Sequence, residues 1–459
     1  MNKFFLNFGH YKYMNFTDMK RFLLTIVLFL VAINASQAQA LPENISQGCE
    51  LPRMRTLPYN TNELAQRYGT EAVSSLYLRP ITNWQQTEDE EAFIFSASYI
   101  VPFTWLSRQA LLYVEGASGA YEVLINGKVA GSTFNGFTPT EFNITKKSKE
   151  ESNTISIRIY KSHWSQRLHN ADTTKAYLGE VYVMSQPTIR VRNIVHNATL
   201  DATGEMANVE VGIVVKTESL NAKKARIHYE LVAADTTVAT YGYRDITLQM
   251  RGEDTIKFMT RIPRSEMWSA DKPTRYRLNL TTQIEGRKVE FQSHWIGLRS
   301  AELKDGKLMI NGKAVALSEA ECNPQTITAE AIATAKQKGH NAVKFSSYAV
   351  PQHAYNMCDS LGMYVVMQVP INTSASGSSR RIGGNESNNP AWGEAFISLS
   401  EAAWHSTCGF ACVVAYSLAE ESANGINLYE SYLRLKELEQ KRPIIYPDAG
   451  SEWNNDGCF

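Results

Sequence analysis

The sequence predicts a multidomain chain of β domains followed by an α/β domain, and three observations carry that prediction. Residues 41–299 run as short stretches of alternating apolar and polar side chains separated by turn residues, and hold no helix-period segment of useful length. From residue 300 the period changes, and strand-like runs alternate with helical ones, which is the pattern of a parallel sheet. No Gly-rich phosphate loop follows any of those runs, which argues against an open nucleotide-binding sheet.

The N-terminus reads as a targeting segment. Lys20 and Arg21 precede the apolar run Phe22–Ile33, and small and polar residues lead to "AQA" at Ala38–Ala40. Charge, short apolar core and A-x-A site are the order of a secretory signal. The apolar core is short for a bilayer span. Residues 1–40 are therefore expected to be removed, with Met19 a candidate start, and the mature chain to work outside the cytoplasm, in the periplasm or beyond the cell. No integral span is expected after signal removal. Formal charge is balanced, 46 Lys+Arg against 46 Asp+Glu, and no basic stripe with interleaved aromatics stands out, so nucleic acid is not an expected partner. The cysteines Cys49, Cys322, Cys358, Cys408, Cys412 and Cys458 are sparse, and are expected as buried free thiols rather than disulfides. His405 near Cys408 and Cys412 is too loose a grouping for zinc, so no metal or cofactor is expected.

The first block, 41–186, is β throughout. Ala92–Pro102 alternates and ends in proline. Asn126-Gly127 is a strong two-residue hairpin signal, and Asn153–Tyr160 and Gly179–Ser185 continue the strands. A jelly-roll β-sandwich fits. The second block, 187–299, repeats strands at regular spacing with polar turns and no cysteine pair, which fits an immunoglobulin-like β-sandwich without a disulfide. The third, 300–459, opens with a hairpin at Asn311-Gly312. Five strands follow, beginning at Ala314–Ala320 and ending at Pro443–Ala449, with four helices between them, of which Thr326–Gly339 is N-capped by Thr328. That is an incomplete TIM-type (β/α) barrel, since a full barrel has eight strands and ~250 residues.

This order of domains resembles glycoside hydrolase family 2, which contains β-galactosidases, β-mannosidases and β-glucuronidases. The segment "EGASGAYEVLINGKVAGSTFNGFTPTEFNIT" looks like that family's sugar-binding domain, "INGKAVAL" like its barrel entry, "NAVKFSSY" and "MCDSLGMYVV" like its early barrel elements, and "AYSLAEESANG" like its acid/base strand. The resemblance implies a retaining β-glycosidase. One carboxyl protonates the leaving oxygen and then activates water, and a second, roughly 5 Å away, is the nucleophile. It assigns the acid/base to Glu421, or to a relic of it, and puts Glu420 where the family has an asparagine that contacts the sugar. Two adjacent anions would raise the pKa of one of the pair. The family's nucleophile strand lies beyond the fifth strand, so no residue here matches it. Other departures accumulate. Cys322, Asn323 and Pro324, then Lys344 and Ser347, then Met367 and Gln368 stand where the family carries polar sugar-contacting side chains, and its "NHP" falls near Gly409–Ala411.

The reading that follows is a C-terminally truncated family member with degenerate catalysis, at most carbohydrate-binding. The alternative is an active β-galactosidase-like glycosidase using Glu421, with its nucleophile supplied by a non-standard residue or a second chain. Asp448 and Glu452 are the late acids available for that role. Trp392, Trp404, Trp453 and Tyr416 are candidate sugar-stacking rings or core, with Trp404 read as core, and Trp105 and Trp164 are the candidates for an exposed loop contact. An unclosed parallel sheet is expected to expose an edge and an apolar face, and to stick unless an oligomer or second chain covers it.

Overall fold

A computed structural model describes residues 45–459 apart from 171–173, 451 and 453. The proposed signal and Trp453 lie outside the described residues. Two antiparallel sheets form the first sandwich. Six strands run in the order Ser46–Gln47, Lys128–Thr133, Tyr121–Ile125, Glu151–Tyr160, Ala92–Val101, Gln85–Glu88, and four in the order Leu78–Pro80, Val181–Gln186, Gln109–Val114, Thr140–Asn143. Strand alternation puts Val123, Ile155 and Ile157 of one sheet against Leu112, Val114 and Val183 of the other in a single buried core. Asn126 and Gly127 take φ of +53° and +74°, the left-handed pair that a two-residue hairpin needs.

One helix in this block escapes the period reading. Asn62–Tyr68 spans seven residues, and the Thr61 hydroxyl caps it by accepting the Leu64 N–H at 3.2 Å. Two turns with one fully buried residue, Ala65, are too short to show a 3.6-residue repeat.

The second sandwich has seven strands. Three form one sheet (Ile189–Leu200, Met206–Thr217, Glu253–Pro263). Four form the other, in the order Val238–Leu248, Lys223–Val232, Tyr276–Ile284, Arg287–Ile296. Its core is largely aliphatic, Val209, Val211 and Ile213 meeting Ile227, Leu278 and Leu280, with Tyr229 stacked on Phe258 (4.1 Å).

After a three-stranded antiparallel unit (Ala301–Lys304, Lys307–Ile310, Lys313–Val315), the chain builds a five-stranded parallel sheet. Its strands are Glu319–Cys322, Ala342–Phe345, Tyr364–Gln368, Val413–Ser417 and Ile444–Ile445. The helices Ala329–Gln337, Gln352–Leu361, Gly393–Thr407 and Ile426–Leu438 connect them. Strand order follows chain order with no reversal. A doubly wound sheet reverses at a switch point and a barrel does not, so this is an arc of a barrel. The first parallel strand starts at Glu319 rather than Ala314, because Lys313–Val315 is consumed by the preceding hairpin. The fifth is two residues long, since Tyr446 leaves the ladder for a turn at Pro447–Ala449. Thr328 does cap its helix, accepting the Ala331 N–H at 3.2 Å.

The expected bare edge needs correction at the fifth strand, and the expected apolar face at the first. Asp456 covers the fifth strand. Its N–H donates to the Ile444 carbonyl (2.8 Å), and its carboxylate accepts the Ile444 N–H (2.9 Å), the Tyr432 hydroxyl (2.9 Å) and Lys436 (3.1 Å). The first strand carries exposed Glu319 and Glu321, and Lys344 beside it is exposed too, so the concave face is wet at this side. Cys358, Cys408 and Cys412 are buried free thiols, Cys49 and Cys322 are half-buried, and Cys458 is exposed. No helix among the described residues is long and apolar enough to cross a membrane.

Candidate functional site

The fourth parallel strand, Val413–Ser417, is buried along its whole length, and the ladder continues past it. Leu418 N–H reaches Ile445 O at 3.0 Å, and Glu420 N–H reaches Ile371 O at 2.9 Å. Ser422 then ties the loop down. Its hydroxyl donates to the Glu420 carbonyl (3.1 Å) and accepts the Thr373 N–H (3.0 Å), while the Tyr446 hydroxyl donates to the Ser422 carbonyl. The two glutamates are thus delivered to the C-terminal ends of the strands, where a barrel presents its chemistry.

Their surroundings differ. The Glu420 carboxylate accepts from the Tyr348 hydroxyl at 3.2 Å and pairs with Lys344 at 3.3 Å. Burial, reinforced by Glu420 beside it, holds the Tyr348 phenol well above its ordinary range. Glu421 is exposed, and its carboxylate accepts from Asn372 Nδ2 at 3.3 Å. The Glu421 backbone is left-handed, φ +46°, and its N–H donates to Asp448 Oδ2 at 2.7 Å. Asp448 thus accepts from the backbone through one of its oxygens and is otherwise exposed. Glu452 is engaged as well, ion-paired with Arg380 (2.7 Å) and accepting from Asn424 (2.8 Å) at a separate recess of about 230 Å³.

A cavity of about 950 Å³ opens over the strand ends. Glu420, Lys344, Tyr348 and Asn372 line it together with Met367 and Gln368, and Glu421 is not among its lining residues. The first sandwich supplies another wall. Phe137 packs edge-on against His169 (4.7 Å) and Tyr348 (5.9 Å). His169 Nδ1 donates to the Pro370 carbonyl at 2.5 Å, so that nitrogen carries the proton. Burial holds this imidazole down at about 4, outweighing the carbonyl bond, and it is neutral. Asn372 N–H donates to Leu168 O (2.7 Å), and Asn170 to the Ser374 hydroxyl (3.2 Å).

The aromatic candidates move inward. Trp105 is 2% exposed, with its indole N–H on Leu76 O at 2.7 Å, so it is core rather than a loop contact. Trp164 is half-buried and joins the two domains, stacked on Phe134 (5.2 Å) and edge-on to Trp392 (5.6 Å). Trp392 and Tyr416 are buried, and Trp404 is core, donating to Glu439 at 3.1 Å. Sequence reasoning missed Tyr348, Asn372, Phe137 and His169. Phe137 and Tyr348 lie inside segments quoted for the resemblance, and Asn372 opens a Ser/Gly/Asn-rich stretch after the third strand. No group of three or more His, Cys, Asp or Glu side chains among the described residues could hold a metal.

Three family models match in succession. They are the galactose-binding domain-like model of glycosyl hydrolase 2 over 71–214, the glycosyl hydrolases family 2 model over 189–299, and the family 2 TIM barrel model over 301–457. The β-galactosidase of Pectobacterium atrosepticum is 24% identical over 437 residues, 91% of this chain and 41% of that protein. A Yersinia pestis β-galactosidase is 26% identical over 443 residues, 91% and 42%. The chain thus spans about two-fifths of the length of these curated relatives. Among solved structures, a Bacteroides uniformis β-glucuronidase superposes with TM-score 0.64 at 16% identity, covering 87% of this chain and 52% of its own. The β-D-glucuronidase of Dictyoglomus thermophilum gives 0.64 at 15%, covering 81% and 73%.

Proposed function

Because this chain belongs to glycosyl hydrolase family 2, we propose that it binds carbohydrate in the cleft above its parallel sheet and that its hydrolytic chemistry is impaired. The observation that carries the second half is the lining of the cleft, which lacks the polar set that the family resemblance expects and holds neither late acid. A retaining hydrolysis needs a second carboxylate free to attack, roughly 5 Å from the acid/base. Asp448 accepts the Glu421 N–H, Glu452 bonds Arg380 and Asn424, and neither lines the cleft. Lys344, Ser347, Met367 and Gln368 occupy it where the family resemblance expects a different polar set.

One observation favours the alternative, an active glycosidase with Glu421 as acid/base. Glu421 stands exposed at a strand end, and Asn372 donates a hydrogen bond to its carboxylate. In that reading the nucleophile comes from a non-standard residue or a second chain. We extend the proposal to export, with residues 1–40 removed and the mature chain periplasmic or extracellular. Fractionation with N-terminal sequencing tests it.

The deciding experiment is hydrolysis of aryl β-galactoside, β-glucuronide and β-mannoside by the purified mature chain, with Glu421→Gln as control. A folded chain that turns over none of them but binds saccharide bears the proposal out. Turnover abolished by Glu421→Gln overturns the impairment.

A further inference from the structure

Tyr241 is 78% exposed, more than any other aromatic ring among the described residues, and Tyr243 is 49% exposed. Neither lines the cleft. Both stand on Val238–Leu248, the edge strand of the four-stranded sheet in the second sandwich. Residues two apart on a strand share a face and stand about 7 Å from each other. Tyr229 on the neighbouring strand stacks on Phe258 in the core, so His228 and Glu230 beside it point outward. The ladder pairs Tyr241 with Glu230, Tyr243 with His228 and Asp245 with Arg226, which puts all six side chains on the outer face. They order one another there. Arg226 donates to both Asp245 oxygens (2.7 and 2.9 Å) and lies 4.1 Å over the Tyr243 ring. The His228 ring is 5.8 Å from that of Tyr243, and its Nε2 donates to Gln283 Oε1 at 2.8 Å. Glu230 accepts from Asn279 at 3.0 Å.

We propose that this outer face is a docking surface for an uncharged polysaccharide, separate from the cleft. A tyrosine ring offers an apolar face to the C–H side of a pyranose and a hydroxyl at its rim. The two rings lie in a row along a straight, hydrogen-bonded strand, which suits an extended chain of sugars rather than a single one. The strand behind them, about 4.8 Å away, supplies the polar contacts. Asp245 and Glu230 accept hydrogen bonds from sugar hydroxyls, and Arg226 and the Gln283 amide donate to sugar oxygens. Charge decides the class of polymer. On the outer face of these two strands Lys224 and Arg226 are matched by Glu230 and Asp245. A polyanion finds no net charge to hold it there, and a neutral polymer meets none to desolvate without a partner. This surface stands independently of the cleft, and either can bind without the other.

The test is affinity electrophoresis of the purified chain in native gels containing galactomannan, xyloglucan, mixed-linkage β-glucan or the polyanion polygalacturonate. At least one of the three neutral polymers is expected to retard the wild-type chain, and polygalacturonate is not. Tyr241→Ala and Tyr243→Ala should each weaken that retardation about threefold or more, the loss expected of one ring contact, and the double variant should abolish it. Tyr241→Trp keeps a ring at the edge and should preserve it. Met259→Ala removes a side chain that is 68% exposed on the other sheet of the same sandwich and should change nothing. Thermal melting of each variant checks that it folds. Retardation that survives both tyrosine substitutions places the polymer elsewhere on the chain and overturns this inference while leaving the cleft reading intact. Retardation by none of the neutral polymers, or by polygalacturonate as strongly as by them, overturns it too. Binding of simple methyl glycosides in the cleft, measured by calorimetry on the same variants, is expected to be unaffected by either tyrosine.

Discussion

The two ends of the parallel sheet solve opposite problems with the same residue types. At the N-terminal ends of the strands, charges are buried and fully committed. Arg442 donates to Glu439 (2.6 Å) and lies over the Tyr416 ring (4.9 Å), and Arg299 donates to Ala411 O (3.0 Å). Asp359 accepts the Cys412 and Ala411 N–H groups (2.6 and 3.3 Å). At the C-terminal ends, Glu420, Lys344 and Glu421 face water with longer, fewer bonds. The floor spends its charges on satisfying strand-end backbone groups that burial would otherwise orphan. The cleft leaves its charges available to a ligand. The difference teaches that charge content says nothing about role until burial and partner count are known.

The largest test removes one floor partner. Arg442→Met strands the Glu439 carboxylate in the interior and is expected to cost about 3–5 kcal/mol in urea unfolding. Adding Glu439→Gln to it should recover part of the loss, and a cost near zero for Arg442→Met would erase the contrast between the two ends.

The next uses pH. Burial alone would raise the Glu439 carboxyl, but Arg442 and its hydrogen bonds outweigh that and hold it at about 2, against an ordinary 4.5. The contribution is complete above about pH 4.5 and drains as pH falls toward 2. His196 works at higher pH. Burial holds it at about 4 against an ordinary 6.5, despite its bond to the Gly409 carbonyl. The unfolded chain takes that proton first, so stability declines as pH falls from 6.5 to 4. Chemical denaturation from pH 7 to 3 should show both limbs, and Glu439→Gln should flatten only the lower one.

Smaller effects belong to the cleft. Asp448→Ala deprives the Glu421 N–H of its acceptor at an exposed site and is expected to cost about 0.5–1 kcal/mol. Lys344→Met breaks an exposed pair and should cost under about 1 kcal/mol, read as a small shift in melting temperature. A cleft substitution that destabilises as much as Arg442→Met would mean that this end is structural too.

The cleft was the more legible end. Glu420 and Glu421 announce themselves as acids closing an apolar run, and the five strands with four helices follow from the change of period. What the sequence could not show was the backbone inversion at Glu421, because the bond from its N–H to Asp448 spans a helix and a strand. The floor was nearly silent. In "KELEQKRP" the Glu439–Arg442 pair reads as the solvated end of an amphipathic helix, and only the turn after that helix folds both side chains inward. The domain junction was equally hidden, because Trp164 and His169 find Trp392 and Pro370 across more than two hundred residues.

Asp456 deserves a colloidal reading. An open strand edge is a template on which another molecule can polymerise, and a parallel arc offers two of them. Here one edge has its Ile444 groups taken by Asp456, while the other is four residues long and studded with Glu319 and Glu321. Neighbouring molecules brought together in a concentrated solution therefore meet a plugged rail on one flank and mutual repulsion on the other.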